Sequence, residues 1–338
     1  MAFDHSDHVT YQFFPRHWDE DDIRLRCQEL AEVLTAGENV SGFIAEGIPE
    51  NDRDGLRNYF SRLSGRDVSI VFLKFHVLSR VGDTDEYNDL RGVLELRFRV
   101  EDEEKEKVTE HTVILQSSRC GDSSGMKWKF CRILWNDNGV DVSPVVIHQL
   151  DAPSPGEEIC VVTTDAGEIR MRLFPEKAPL AVVNWKVLAA EGFYDGMPFS
   201  RVIRGFVIQG GALDGSGDED ISSFGGYFRD EVEKGLYCFN GAVALGNTGP
   251  HTNGNQFFIV ECPEADEGVF PKASLPVNVE ETYREAGGLP ELDGRYTVFG
   301  QVFQGMDVVE RIASQPVDGD DYPLGDPVKI RGIEFEIF

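Results

Sequence analysis

An arginine and a glutamine set into an otherwise apolar, strand-like segment are the first residues of this chain with chemistry to offer. Residues 199–211 read Phe-Ser-Arg-Val-Ile-Arg-Gly-Phe-Val-Ile-Gln-Gly-Gly, in which Val202, Phe206 and Ile208 are apolar and Arg201 and Gln209 break the run. Burying either polar side chain without a partner costs a few kcal/mol. The two are therefore expected to face solvent or to meet a substrate. A second segment, 241–260, holds a turn-rich loop from Asn247 to Gln256 and then the aromatic strand Phe257-Phe258-Ile259-Val260. A third, 292–300, reads Leu-Asp-Gly-Arg-Tyr-Thr-Val-Phe-Gly and follows a break at Gly287-Gly288.

In this order the three segments resemble the cyclophilin family of peptidyl-prolyl cis-trans isomerases. The combination of Phe-x-Arg-x-Ile-x-Gly-Phe-x-x-Gln-Gly-Gly with Thr-Asn-Gly-x-Gln-Phe-Phe is highly specific, and the match runs from about residue 158 to the C-terminus. The resemblance implies an all-β, closed eight-stranded barrel with capping helices. It implies rotation of X-Pro bonds in peptides and unfolded proteins, with no cofactor and no metal. It gives Arg201 the central role, as donor to the prolyl nitrogen, with Gln209 holding the substrate backbone and the main chain of Asn247 anchoring the residue before proline. Phe206, Val207, Phe258, Leu292 and Tyr296 take the family's positions for the apolar proline pocket, and Gln256 a groove position. Phe257 alternates to the other face and is expected in the core.

Several positions depart from the family pattern. Val207 stands where Met is common and His251 where Asn is usual. Glu291 stands where cyclosporin-sensitive members carry Trp, and Tyr296 where many carry His, so weak cyclosporin binding with activity retained is expected. Residues 261–290 are longer than the corresponding loop of small members and include one extra helix ending at Gly287, of a kind seen in some bacterial members. This insertion either braces the barrel or shapes access to the groove.

The supporting elements follow from periodicity. In the second half, 158–173 gives two strands around the turn Asp165-Ala166-Gly167, Ala178-Pro179 opens a helix to Ala190, and a late helix covers 306–313. In the first half, helices are predicted over 18–34 and 52–63, from Ile23, Cys27, Leu30 and Leu34 and from Leu56, Tyr59, Phe60 and Leu63. Strands are predicted over 68–78, 92–100, 107–116 and 126–135, with a charged hairpin tip at 101–107. This is an α+β pattern, helices packed on a curved antiparallel sheet, and it vaguely resembles the nuclear-transport-factor-like fold. The expected organisation is an accessory domain 1–150, a Pro/Gly-rich linker 151–157 and an isomerase domain 158–338, with 145–150 one further strand belonging to either side.

The 338 residues suffice for two ordinary cores, and the formal net charge of −28 disfavours nucleic acid and anionic membrane as partners. The six cysteines have no Cys-x-x-Cys spacing, the first residues have no leader pattern, and no apolar run reaches a membrane span. A reducing, cytoplasmic setting is expected. His5, His8, His17, His76 and His111 lack metal-ligand spacing. Residues 121–125 match Gly-x-Ser-x-Gly but precede a strand, which makes them a polar hairpin turn, and the glycines of 210–217 lack the dinucleotide fingerprint. Two other readings stay open: a non-catalytic proline-peptide binder, and a chaperone whose first domain holds clients. Partner binding, substrate presentation and dimerisation are all open for that domain.

Overall fold

The computed structural model describes residues 17–81, 89–122, 125–212, 222–270 and 273–338. His5, His8, the Ser123-Ser124 tip of the Gly-x-Ser-x-Gly segment and the glycines of 213–217 lie outside them. The chain forms two compact units, Met1–Ser143 and Pro144–Phe338.

In the first unit, helices α1 (His17–Thr35) and α2 (Glu50–Leu63) precede five strands. These are β1 (Asp67–Val81), β2 (Asp89–Asp102), β3 (Lys107–Asp122), β4 (Gly125–Asn136) and the two-residue β5 (Val140–Asp141). They pair antiparallel in the order β1-β2-β3-β4, and β5 also pairs with β3. Bulges in β1 and at the β3–β4 pairing add twist. One sheet face supplies Val68, Leu94, Leu96, Phe98, Val113 and Phe130, and these close on Ile23, Leu30, Phe60 and their helical neighbours. Phe75, Trp128 and Phe130 are buried in this core. Arg99 and Glu110 stand opposite each other in the β2–β3 register, and Arg99 Nη2 lies 2.7 Å from the Glu110 carboxylate, which also has Arg97 at 3.4 Å.

The second unit contains β6 (Glu158–Thr164), β7 (Gly167–Leu173), α3 (Pro179–Ala190), β8 (Phe199–Ile203) and β9 (Val207–Gly210). It continues through β10 (Ala242–Leu245), β11 (Phe257–Val260), α4 (Val277–Ala286), β12 (Val298–Gln304), α5 (Met306–Ala313) and β13 (Ile330–Ile337). The strands form one antiparallel sheet in the order β13-β6-β7-β12-β10-β11-β9-β8. Its inner face, with Ile208, Val243, Phe257 and Phe299, packs against Trp185 and Leu188 of α3 and Val309 and Ile312 of α5.

Two expectations are corrected here. The sheet is curled but is not a closed barrel: the edge strands β8 and β13 do not form a continuous ladder. Their ends meet in an isolated bridge, Pro198 with Lys329, and the Phe199 N–H reaches the Val328 carbonyl. The Ile330 N–H also reaches the Met197 carbonyl, and beyond these contacts the two strands form no ladder among the described residues. Residues 145–150 form no strand and belong to the second unit. Gln149, 1 % exposed, explains this: its side-chain amide donates to the Tyr237 carbonyl and the Gln301 side chain and accepts from the Tyr237 N–H, each at 2.8 Å.

Candidate active site

The outer face of the C-terminal sheet carries the predicted residues in a row. Arg201 on β8 is paired with Gln209 on β9, Gln209 with Phe258 on β11, and Phe258 with Ala244 on β10. Residues directly opposite one another on neighbouring strands share a sheet face. A cation, an amide and an aromatic ring are thus set side by side by register alone. The turn between β8 and β9 is possible because Gly205 takes φ +74, and its N–H donates to the buried Glu261 carboxylate at 2.7 Å. The Glu261 N–H in turn donates to the Phe206 carbonyl at 2.8 Å, which fixes the residue that follows the turn.

Phe206, Leu236, Leu292 and Tyr296, all half-buried, pack on a buried floor of Val207, Ala244, Phe258, Leu289 and Val298. The Tyr296 ring meets Phe258 edge to face, with centroids 5.2 Å apart. Every residue predicted for the proline pocket is in this cluster. Phe257 points the other way, 1 % exposed, into the inner core.

The polar residues converge on the same ground. Gln209 Nε2 donates to Gln256 Oε1 at 2.7 Å. The Gly246 N–H donates to the Gln256 carbonyl, and Asn247 Nδ2 donates to the Arg295 carbonyl at 3.1 Å, so Asn247 bridges to the loop that carries Tyr296. Gly211, at φ +92, lets the chain pass close here: a Cβ would lie 2.4 Å from the Asn255 carbonyl oxygen. Arg201 is 45 % exposed, and its Nε lies 3.4 Å from Asp321, itself 38 % exposed. The guanidinium therefore stands at the rim of the apolar cluster, reachable from solvent, with one loosely held carboxylate behind it.

Three residues outside the predicted set hold the pocket wall. The largely buried Asp293 follows Leu292 directly and accepts from the Tyr283 hydroxyl, 2.8 Å from both carboxylate oxygens, and from the Cys238 N–H at 2.8 Å. Burial pushes its carboxyl from the ordinary 3.8 up to about 7, against the opposing pull of the Cys238 N–H and the Tyr283 hydroxyl. Burial likewise drives the Tyr283 hydroxyl and the Cys238 thiol far up, with the Asp293 charge adding to both. Tyr283 sits on α4, the helix expected within the 261–290 insertion. Val279 and Tyr283 of that helix pack with Phe239, Phe270 and Leu275. The insertion thus braces the sheet and fastens the Leu292–Tyr296 loop. Asp293 was in plain view within the third segment, but only the position of Tyr283, ten residues earlier in the insertion, reveals its partner.

A family profile covering just over half of the chain identifies its family. The profile of the family described as "Cyclophilin type peptidyl-prolyl cis-trans isomerase/CLD" matches residues 159–335. A protein of Staphylococcus saprophyticus named for peptidyl-prolyl cis-trans isomerase activity is 39 % identical over 190 residues, covering 55 % of this chain and 96 % of the relative. A similarly named protein of Staphylococcus aureus strain COL is 40 % identical over 184 residues, 54 % of this chain and 93 % of its own. Among solved structures, a cyclophilin-type isomerase of Cryptosporidium parvum is 29 % identical with a TM-score of 0.44, covering 53 % of this chain and 97 % of that one. The same protein in the presence of the dipeptide Ala-Pro gives 29 % identity and a TM-score of 0.43, over 52 % and 96 %.

Proposed function

The chain belongs to the cyclophilin-type peptidyl-prolyl cis-trans isomerase family, and we propose that Arg201 is the residue with which it eases rotation about X-Pro bonds. Amide resonance sets a barrier of about 18–20 kcal/mol to that rotation. No bond is made or broken, so the step needs neither a nucleophile nor a leaving group. What lowers the barrier is preference for the twisted amide, whose nitrogen has regained its lone pair. A guanidinium held beside that nitrogen donates to it only in the twisted state, because the planar amide nitrogen is a poor acceptor. A stabilisation of roughly 8 kcal/mol, the low end of enzymatic effects, brings the step to about 10⁴ per second.

The substrate is a proline-containing peptide segment or an unfolded protein. Its proline ring enters the slot between Phe206, Phe258, Leu292 and Tyr296 on the Val207 floor, its backbone is held by Gln209 and Gln256, and the main chain of Asn247 anchors the residue before proline. The observation that supports this reading best is the register-paired row Arg201–Gln209–Phe258, with the cation exposed at its end. The Asn247 N–H and carbonyl make no backbone hydrogen bond among the described residues, which suits them to an incoming chain. The deciding experiment is isomerisation of a proline test peptide by the full chain and by Arg201→Ala. Equal turnover by the two would remove Arg201 from the mechanism. Binding of the peptide without turnover by the unaltered chain would favour a non-catalytic binder.

A further inference from the structure

Helix α4 is clasped at its start and anchored at its middle. In its first turn Asn278 takes hold of the Val145 backbone, accepting from its N–H at 3.0 Å and donating to its carbonyl at 2.7 Å. Farther along the helix the fully buried Tyr283 packs its ring against Phe239, with centroids 4.6 Å apart. The Tyr283 hydroxyl then reaches the Asp293 carboxylate, 2.8 Å from each oxygen, and Asp293 Oδ1 also accepts from the Cys238 N–H at 2.8 Å. Asp293 stands directly after Leu292 and shortly before Tyr296, the two wall residues of the apolar slot. Cys238 is a buried residue of the cluster on which that slot rests. One carboxylate therefore joins the helix, the floor of the slot and its wall.

The turn that carries this wall has few other ties. Among the described residues the backbone hydrogen bonds of 290–294 stay within 289–295: Leu292 N–H to Leu289, Asp293 N–H to Pro290 and Arg295 N–H to Leu292. The anchors to the rest of the unit flank the turn, the Leu289 N–H on the Cys238 carbonyl at 2.8 Å and Asn247 Nδ2 on the Arg295 carbonyl at 3.1 Å. Wall side chains touch a proline ring whether its amide is planar or twisted. Their placement therefore governs how tightly substrate is held, whereas a donor to the prolyl nitrogen acts on the twisted state alone.

We propose that Asp293 and Tyr283 are positioning residues for the isomerase: joined by their hydrogen bond, they let α4 hold the Leu292–Tyr296 wall at the spacing that grips a proline ring. Substrate affinity is thereby set from a helix outside the slot, and separately from the rate of rotation. This role rests on the slot being the proline pocket proposed above.

The test compares the full chain with Asp293→Ala, Tyr283→Phe and Asp293→Asn. It measures kcat and KM for a short peptide containing Ala-Pro, and the Kd of that peptide by calorimetry, all per folded molecule. KM and Kd are expected to rise together, about tenfold in Asp293→Ala and about threefold in Tyr283→Phe, with kcat within about twofold of the unaltered value. Asp293→Asn should recover most of the loss, because an amide oxygen still accepts from the Cys238 N–H and the Tyr283 hydroxyl. A merely structural role would lower the folded fraction and leave KM and Kd of the folded molecules unmoved, and that result overturns the positioning role. A fall in kcat at constant Kd overturns it too, as does an Asp293→Asn defect as large as that of Asp293→Ala. Tyr283→Phe removes a single oxygen and keeps the ring on Phe239, so it carries the test even where Asp293→Ala does not fold. An unaltered chain that binds the peptide without turnover ends the isomerase reading, and Kd alone then decides the positioning role. One that neither binds it nor turns it over overturns both.

Discussion

Arg99 in the N-terminal sheet and Arg201 in the C-terminal one each lie beside a carboxylate, and their surroundings differ. Arg99 lies 2.7 Å from Glu110, whose side chain is 2 % exposed and also has the 7 % exposed Arg97 within 3.4 Å. Arg201 lies 3.4 Å from Asp321, with both side chains more than a third exposed. Charges removed from water are held by their mutual attraction, and neither can leave without exposing the other's uncompensated burial. A pair open to water is weakly coupled, so a competing ligand can take the cation over. The same residue type is thus fastened in one sheet and available in the other, and burial of the partner decides which.

The largest effect that tests this contrast is expected at Glu110. Glu110→Gln removes the buried carboxylate that Arg97 and Arg99 share and should cost about 3–5 kcal/mol of stability in chemical denaturation, with isomerase turnover per folded molecule unchanged. A loss under about 1 kcal/mol would show that burial does not lock this cluster. Arg201→Ala should do the reverse, lowering kcat/KM by about ten- to a hundredfold, the worth of one charged hydrogen bond of roughly 1.5–3 kcal/mol, while the unfolding midpoint barely moves.

Asp293 extends the comparison, because its carboxylate is met by neutral donors in place of arginines. Its pKa is raised to about 7, so the folded state holds a proton that the unfolded chain releases near 3.8. Its contribution to stability is therefore greatest below about 4 and is lost as pH rises towards 7. The unfolding midpoint of the unaltered chain should fall between pH 5 and pH 8 relative to that of Asp293→Asn. Parallel pH profiles for the two would place the titration elsewhere. Asp321→Asn should show the smallest effect, within about 1 kcal/mol in stability and less than tenfold in kcat/KM. A larger loss of activity would mean that Asp321 aims the guanidinium.

What the sequence made legible tracks the range of the forces involved. Helices α1, α2, α4 and α5 and the long strands follow from local periodicity, because each has one face in a core. The pocket was legible for a different reason: Arg201, Gln209 and Phe258 lie in short motifs whose strands pair in register. Pairings between distant residues were not legible. Arg201 with Asp321, Tyr283 with Asp293 and Gln149 with Gln301 leave no periodic trace. The short strand β5 carries only two residues, too few for alternation to register. The closed barrel failed because a count of strands does not say whether the last pairs with the first along its length, and here the two share one isolated bridge, Pro198 with Lys329.

Arg201 belongs to an outermost strand of its sheet, and the chain beside it is a loop: the Val202 N–H donates to the carbonyl of Asp321, a residue held at φ +64. A border of this kind can be rewritten cheaply. On the role proposed for Arg201, changes of charge in the exposed part of 318–327 would alter the surroundings of the cation and leave the residues of the apolar core in place. On that same role, a library diversified in that loop alone is the place to seek altered substrate preference with folding retained.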